Sequence, residues 1–133
     1  ETELILWRRL ILSIIKIPES ELEVMEAVWN SQNPISSKQI VGIMEKKKGW
    51  KNTTILTLLS RLAKKKFITA AKGKRRTYYT TLVTEEEYRK FETREFFRKF
   101  HKGSLKSFIT TLHEDNDITD DDLDELDHWI KSR

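Results

Sequence analysis

Cysteine is absent, which removes disulfides, thiol redox chemistry, thiolate nucleophiles and thiolate zinc sites together. The three histidines, His101, His113 and His128, are widely separated, and no pair has the close helical spacing that a His-based metal site uses. Glycine is scarce: the four are scattered singly, and no GxxxxGK[ST], GxGxxG or GxSxG string occurs, so phosphate-cradling loops and nucleophile elbows are missing. No cofactor or metal is expected, and no NTPase, dehydrogenase or hydrolase. Long apolar runs are missing too. Residues 1–15, ETELILWRRLILSII, are interrupted by Arg8 and Arg9 and fall short of the roughly 20 residues of a spanning helix. A signal peptide would carry its positive charge ahead of the apolar run. These residues are expected to be an atypical extension of no assigned function, without membrane insertion.

What is present is an ordinary folding composition with an unusual charge map. Of 133 residues, 38% are hydrophobic and 35% charged, which suits one soluble domain, or one domain plus a small appendage. A cytoplasmic setting fits. Residues 1–110 hold 23 Lys+Arg against 12 Asp+Glu, a net +11, whereas residues 111–133 hold 2 against 9, a net −7. Between Glu45 and Arg76 twelve bases meet a single acid. A polyanion is the natural partner of such a stretch, because each Lys or Arg near a phosphate releases condensed counterions.

The periodicity from Pro18 onward predicts three helices and a hairpin over residues 16–82. Pro18 suits a first turn, with Glu19 and Glu21 complementing the helix dipole, and Leu22, Met25, Val28 and Trp29 recur at helical spacing to near Asn30. Ser36 and Gln39 make a capping box, with Ile35 and Ile40 as staple, for a helix running to about Lys47 before Gly49. A third helix is predicted from Asn52 as N-cap through NTTILTLLSRLAKKK, with Ile55, Leu58, Leu59 and Leu62 on a buried face. At about 100° per residue, Thr53, Thr57, Ser60 and Lys64 point the other way, flanked by Thr54 and Arg61. A helix entering the major groove needs that combination: short hydroxyls let the backbone approach, and Arg and Lys reach base edges or phosphates. FITAAKGKRRTYYTTL then reads as two strands around Gly73, tipped with Lys72, Lys74, Arg75 and Arg76. This is winged helix-turn-helix order.

Residues 83–133 predict three short amphipathic helices. Thr84 and Glu87 form a capping box, with Val83 and Tyr88 as staple, and the apolar positions that follow are Tyr88, Phe91, Phe96, Phe97 and Phe100. Leu105, Phe108, Ile109 and Leu112 line a second helix; Leu123, Leu126, Trp129 and Ile130 line a third that begins at Thr119. Such short helices bury too little surface to stand alone. The expected cover is the same segment of a second chain, which makes these residues the dimerisation set; folding back on the N-terminal domain is the alternative.

The strings ESELEVMEAVW, GWKNTTILTLLSRLAKKKFI, RRTYYTTLV, EEEYRKFETREFF and KGSLKSFITTLHEDNDITDDDLDEL resemble the penicillinase repressor family, which embraces β-lactamase, methicillin-resistance and copper-responsive repressors. The resemblance runs from residue 17 to about residue 130. It implies a mainly helical chain with a small β-hairpin wing, acting as a homodimer that holds a palindromic DNA operator and blocks transcription of a β-lactam resistance or related stress operon. It also implies, in the β-lactam branch, a sensor-linked protease whose scissile bond falls between Thr111 and Leu112; cleaved members usually carry Asn-Phe there, which argues against proteolytic derepression in this chain. The copper branch ends in a CxCxxxxCxC motif, so a copper-responsive reading requires that motif to be missing.

The expected division of labour is that Thr53, Thr54, Thr57, Ser60 and Arg61 approach the major groove. Lys51, Lys64, Lys72, Lys74, Arg75 and Arg76 would hold phosphates or the neighbouring minor groove. A rival from another class is a winged-helix module for protein–protein interaction, since fold does not fix function. An enzyme is not expected, because no convergent nucleophile, base or metal site is visible.

Overall fold

The computed structural model describes residues 14–133; apart from Ile14 and Ile15, the expectation for residues 1–15 lies outside them. Pro18 holds extended backbone (φ −61°, ψ 158°) as the N-cap of α1 (Glu19–Trp29), one position ahead of the first turn. Glu19 lies exposed beside that N-terminus, but Glu21 does something the sequence reading missed. Its side chain turns inward, the residue is 1% exposed, and its carboxylate meets Lys65 Nζ at 2.6 Å.

A two-residue strand β1 (Ile35–Ser36) leads into α2 (Ser37–Lys48). Ser36 accepts from the Gln39 N–H while the Gln39 side chain accepts from the Ser36 N–H, and Gly49 closes the helix at φ 69°, where an L side chain would be strained. α3 (Asn52–Lys64) buries Ile55, Leu58, Leu59 and Leu62 as expected. Its ends differ from expectation. Lys51, without a side-chain cap, is the N-cap and Asn52 is already helical. The C-terminus stops at Lys64 because Lys66 adopts φ 65°, with Lys66 N–H donating to Ala63 O and Phe67 N–H to Leu62 O. That is a Schellman closure with lysine where glycine is usual.

β2 (Ile68–Lys72) and β3 (Thr77–Thr81) pair antiparallel from Ile68–Thr81 to Lys72–Thr77. β1 adds to the other edge of β3, Ile35 opposite Tyr79, giving the order β1-β3-β2. The sequence reading found the hairpin and missed β1, because two residues carry no alternation to read. Asn33 secures the approach to β1: its Oδ1 accepts from the Thr81 N–H at 3.0 Å.

α4 (Glu85–His101), α5 (Leu105–Glu114) and α6 (Asp120–Ser132) follow. The Thr84–Glu87 box forms in both directions, at 2.9 and 3.1 Å. The chain divides into two compact units, one ending at Phe91 and the other beginning at Glu92, so the first two turns of α4 belong to the winged unit. Its core joins Val24, Met25 and Val28 of α1, Ile40 and Met44 of α2, the buried face of α3, Phe67, Ile68, Tyr79 and Val83. Ile14 and Ile17 are buried in it as well, so the core starts ahead of residue 16. Tyr88 seals it: the ring meets Phe67 edge-on at 5.5 Å, and the hydroxyl oxygen accepts from the Ile17 N–H at 3.0 Å.

In the second unit α4 and α5 are held together at their junction. His101 is buried, with Nδ1 2.9 Å from Ser107 Oγ, and its ring lies 5.3 Å from Phe108 and 5.5 Å from Phe96. α6 is capped by a Thr119–Asp122 box, and Asp120 meets His113 at 3.0 Å. Neither α5 nor α6 contains a buried residue.

Candidate nucleic-acid interface

The outer side of α3 is built by subtraction. Four aliphatic side chains face the core, so Thr53, Thr54, Thr57, Ser60, Arg61 and Lys64 are all left exposed. Thr57 donates its hydroxyl to Thr53 O at 2.8 Å, which fixes the rotamer and leaves its oxygen lone pairs pointing outward as acceptors. Arg61 and Lys64 occupy the last turn, where the helix dipole favours cations.

The wing follows α3 as the β2–β3 hairpin. Its loop spans residues 73–76, so Arg75 and Arg76 lie at the tip, and the Gly73 N–H donates to Arg76 O at 2.7 Å to close it. A side chain at residue 73 would come within 3.1 Å of both Arg76 O and the Tyr78 ring, which is why glycine stands there. The loop and one residue of the helix border a common cleft. A cleft of about 380 Å³ is lined by Ser37, by Leu56 of α3, by Lys72 through Thr77, and by Tyr79. Burial lifts the Tyr79 phenol above its ordinary 10.0, so it remains a neutral group at physiological pH.

Charge pairing separates the structural cations from the rest. Lys48 and Lys65 are tied to Glu23 and Glu21. Among the described residues, Lys51, Arg61, Lys64, Lys72, Lys74, Arg75 and Arg76 have no carboxylate partner. All seven are exposed. An unpaired cluster of this density attracts polyanions, because no internal acid has to be displaced first. Ser37 and Tyr79 line the cleft although the sequence reading did not single them out; Leu56, the one leucine of α3 off its buried stripe, lines it too.

The residues expected to mediate dimerisation fall into two groups. Tyr88 is buried and Phe91 half-buried against the winged core, so Tyr88 is spent within its own unit and is withdrawn from a partner-facing role. In the second unit Phe96, Phe100, Leu105, Trp129 and Ile130 are exposed, the last three by 57%, 56% and 51%. Phe97, Phe108, Ile109, Leu112, Leu123 and Leu126 are half-buried. Phe96, Phe97, Leu105 and Phe108 line an apolar cavity of about 530 Å³ with Glu92 and Thr93. Thr111 and Leu112 sit inside α5, where Thr111 Oγ1 donates to Ser107 O at 2.8 Å and Leu112 O accepts the Asp117 N–H at 2.9 Å. Cleavage between them would require that turn to open.

Against known proteins the chain is not isolated. The family model described as penicillinase repressor matches residues 17–132. The methicillin resistance regulatory protein MecI of Staphylococcus aureus strain N315 is 32% identical over 118 residues, 89% of this chain and 95% of that protein. The penicillinase repressor of Bacillus licheniformis is 29% identical over 113 residues, 85% of this chain and 88% of that one. In three dimensions, the solution structure of the DNA-binding domain of the repressor BlaI is similar at a TM-score of 0.51 and 33% identity, covering 55% of this chain and 88% of that one. With the winged architecture and a match that spans both units, this chain belongs to the penicillinase repressor family.

Proposed function

We propose that the chain is a DNA-binding transcriptional repressor of the cytoplasm, a homodimer that occupies an inverted-repeat operator and excludes the transcription machinery from it. It acts by occupancy rather than catalysis, on a β-lactam resistance or related stress operon, the class named in its relatives MecI and penicillinase repressor. The observation that carries the reading is the run of exposed hydroxyls and cations on the outer side of α3, followed by a wing of unpaired cations whose loop borders a cleft with Leu56 of α3. Thr53, Thr54, Thr57, Ser60 and Arg61 meet base edges or the groove walls. Lys51, Lys64, Lys72, Lys74, Arg75 and Arg76 hold phosphates, which sets register and affinity without reading sequence. The apolar surface of α5 and α6 pairs two copies, so that two such faces are offered to successive major grooves.

Selection of bound duplexes from a random library tests the reading as a whole. An inverted repeat with half-sites about one or two helical turns apart is expected; recovery of no preferred sequence removes the repressor assignment. The wing has its own signature. Changing Arg75 and Arg76 to Ala should weaken binding to every duplex to a similar degree and flatten the dependence of log K on log salt by about 1.8 for each wing engaged. A titration from low to moderate salt reads this directly. A change in sequence preference at constant salt slope would move the wing off the phosphates.

A further inference from the structure

α3 exposes one side chain that neither the core nor phosphate binding explains. Leu56 is 41% exposed on a helix whose other leucine and isoleucine residues, Ile55, Leu58, Leu59 and Leu62, are all buried. At about 100° per residue it lies some 60° from Thr53 and about 40° further round than Ser60, on the opposite flank from Thr54 and Arg61. Its neighbours in the cleft are the hydroxyl of Ser37 and the wing residues from Lys72 to Thr77. An isobutyl group in that position gains nothing from phosphate and gives nothing to a hydrogen bond. Of the groups a B-form duplex displays in its major groove, the thymine 5-methyl is the apolar one.

Resting on the DNA-binding reading above, we propose that Leu56 is a specificity-determining residue that packs on a pyrimidine 5-methyl group, thymine in unmodified DNA, at the edge of the half-site facing the wing. The hydroxyls of Thr53, Thr57 and Ser60 then read polar edges, Arg61 reads from the far flank, and Leu56 reads the presence of a methyl. Selectivity follows from desolvation: the methyl and the isobutyl group leave water together against thymine, whereas against cytosine Leu56 faces an amino group it cannot satisfy.

The test uses the full-length protein and the duplex recovered by selection. Each thymine is replaced in turn by deoxyuridine, which deletes the 5-methyl and leaves the pairing edge unchanged. One position in each half-site should lose about three- to fivefold in affinity, the worth of one buried methyl. With Leu56→Ala the same replacement should have almost no effect. 5-Methylcytosine opposite guanine at that position should bind the wild type better than cytosine does. If the wild type binds its selected sequence tightly and the uracil series affects Leu56→Ala and wild type alike, Leu56 does not read the methyl, while the repressor reading stands. If no sequence is selected, both fall. Leu56→Met, which keeps an apolar tip of similar volume, should restore the sensitivity to uracil; if it does not while folding normally, the methyl contact is made by another residue.

Discussion

Replacing Lys65 with Met is expected to lower the free energy of unfolding by about 3 kcal/mol, the scale for breaking a buried ion pair from one side. Glu21 is 1% exposed, and among the described residues its carboxylate is held by the ion pair with Lys65 at 2.6 Å. Removal of the ammonium strands a carboxylate in the wall of the core. The converse change should cost less. Glu21→Gln still offers an oxygen to Lys65, whose side chain is 28% exposed and can turn toward water, so a loss of about 1 kcal/mol is expected. Removing both charges together, as Glu21→Leu with Lys65→Met, should return stability to within about 1 kcal/mol of the parent, since apolar replacement of a whole buried pair is often neutral. Urea unfolding of the three variants checks the pattern. A Lys65→Met cost below about 1 kcal/mol would place the pair with solvated surface bridges.

That pair also bears on DNA. Lys65 is the C-cap of α3, so its bond to Glu21 ties the end of α3, the helix proposed to meet DNA, to the start of α1. Among the described residues, Lys48 and Lys65 are the two bases between Glu45 and Arg76 that are neutralised internally. Counting every cation of this stretch toward phosphate would therefore overstate the salt dependence. Sequence alone could not separate them: Lys64, Lys65 and Lys66 are chemically identical neighbours that differ only in where the end of the helix points them.

The winged unit was legible because its signals agree across levels. The Ser36–Gln39 and Thr84–Glu87 boxes, the aliphatic stripe of α3 and the glycine-bearing basic hairpin each specify the element that forms. What escaped notice depends on distant contacts. β1 exists only because β3 lies alongside it. Glu21 looked like a dipole-complementing surface acid until the fold brought Lys65 to it. Tyr88 sits in sequence among the phenylalanines of the presumed partner face, yet Phe67 and the Ile17 amide claim it for the winged core. The left-handed residue closing α3 is Lys66 rather than a glycine, so the helix read two residues too long.

The largest functional effect is expected from the second unit rather than the winged one. In the second unit α5 and α6 bury none of their residues, yet Leu105, Trp129 and Ile130 are each more than half exposed. Apolar area of this kind on short helices is the mark of an assembly surface. If a second copy covers it, Ile130→Asp places a charge in the interface and should raise the dimer dissociation constant by at least about 100-fold, the range of a strong interface position. Because the residue is solvent-exposed in the single chain, the monomer should keep its helical content and melting behaviour. The consequence for DNA is separable from any local effect on the winged unit. Two linked wings bind a full operator with the second contact intramolecular, an advantage of about 10²- to 10⁴-fold. Ile130→Asp should forfeit that advantage on the full inverted repeat and leave binding to an isolated half-site unchanged. Sedimentation of the protein alone, with parallel titrations of full and half operators, decides the matter. A variant that stays dimeric, or one that loses half-site affinity to the same degree, would show that the exposed face of α6 does not join two copies.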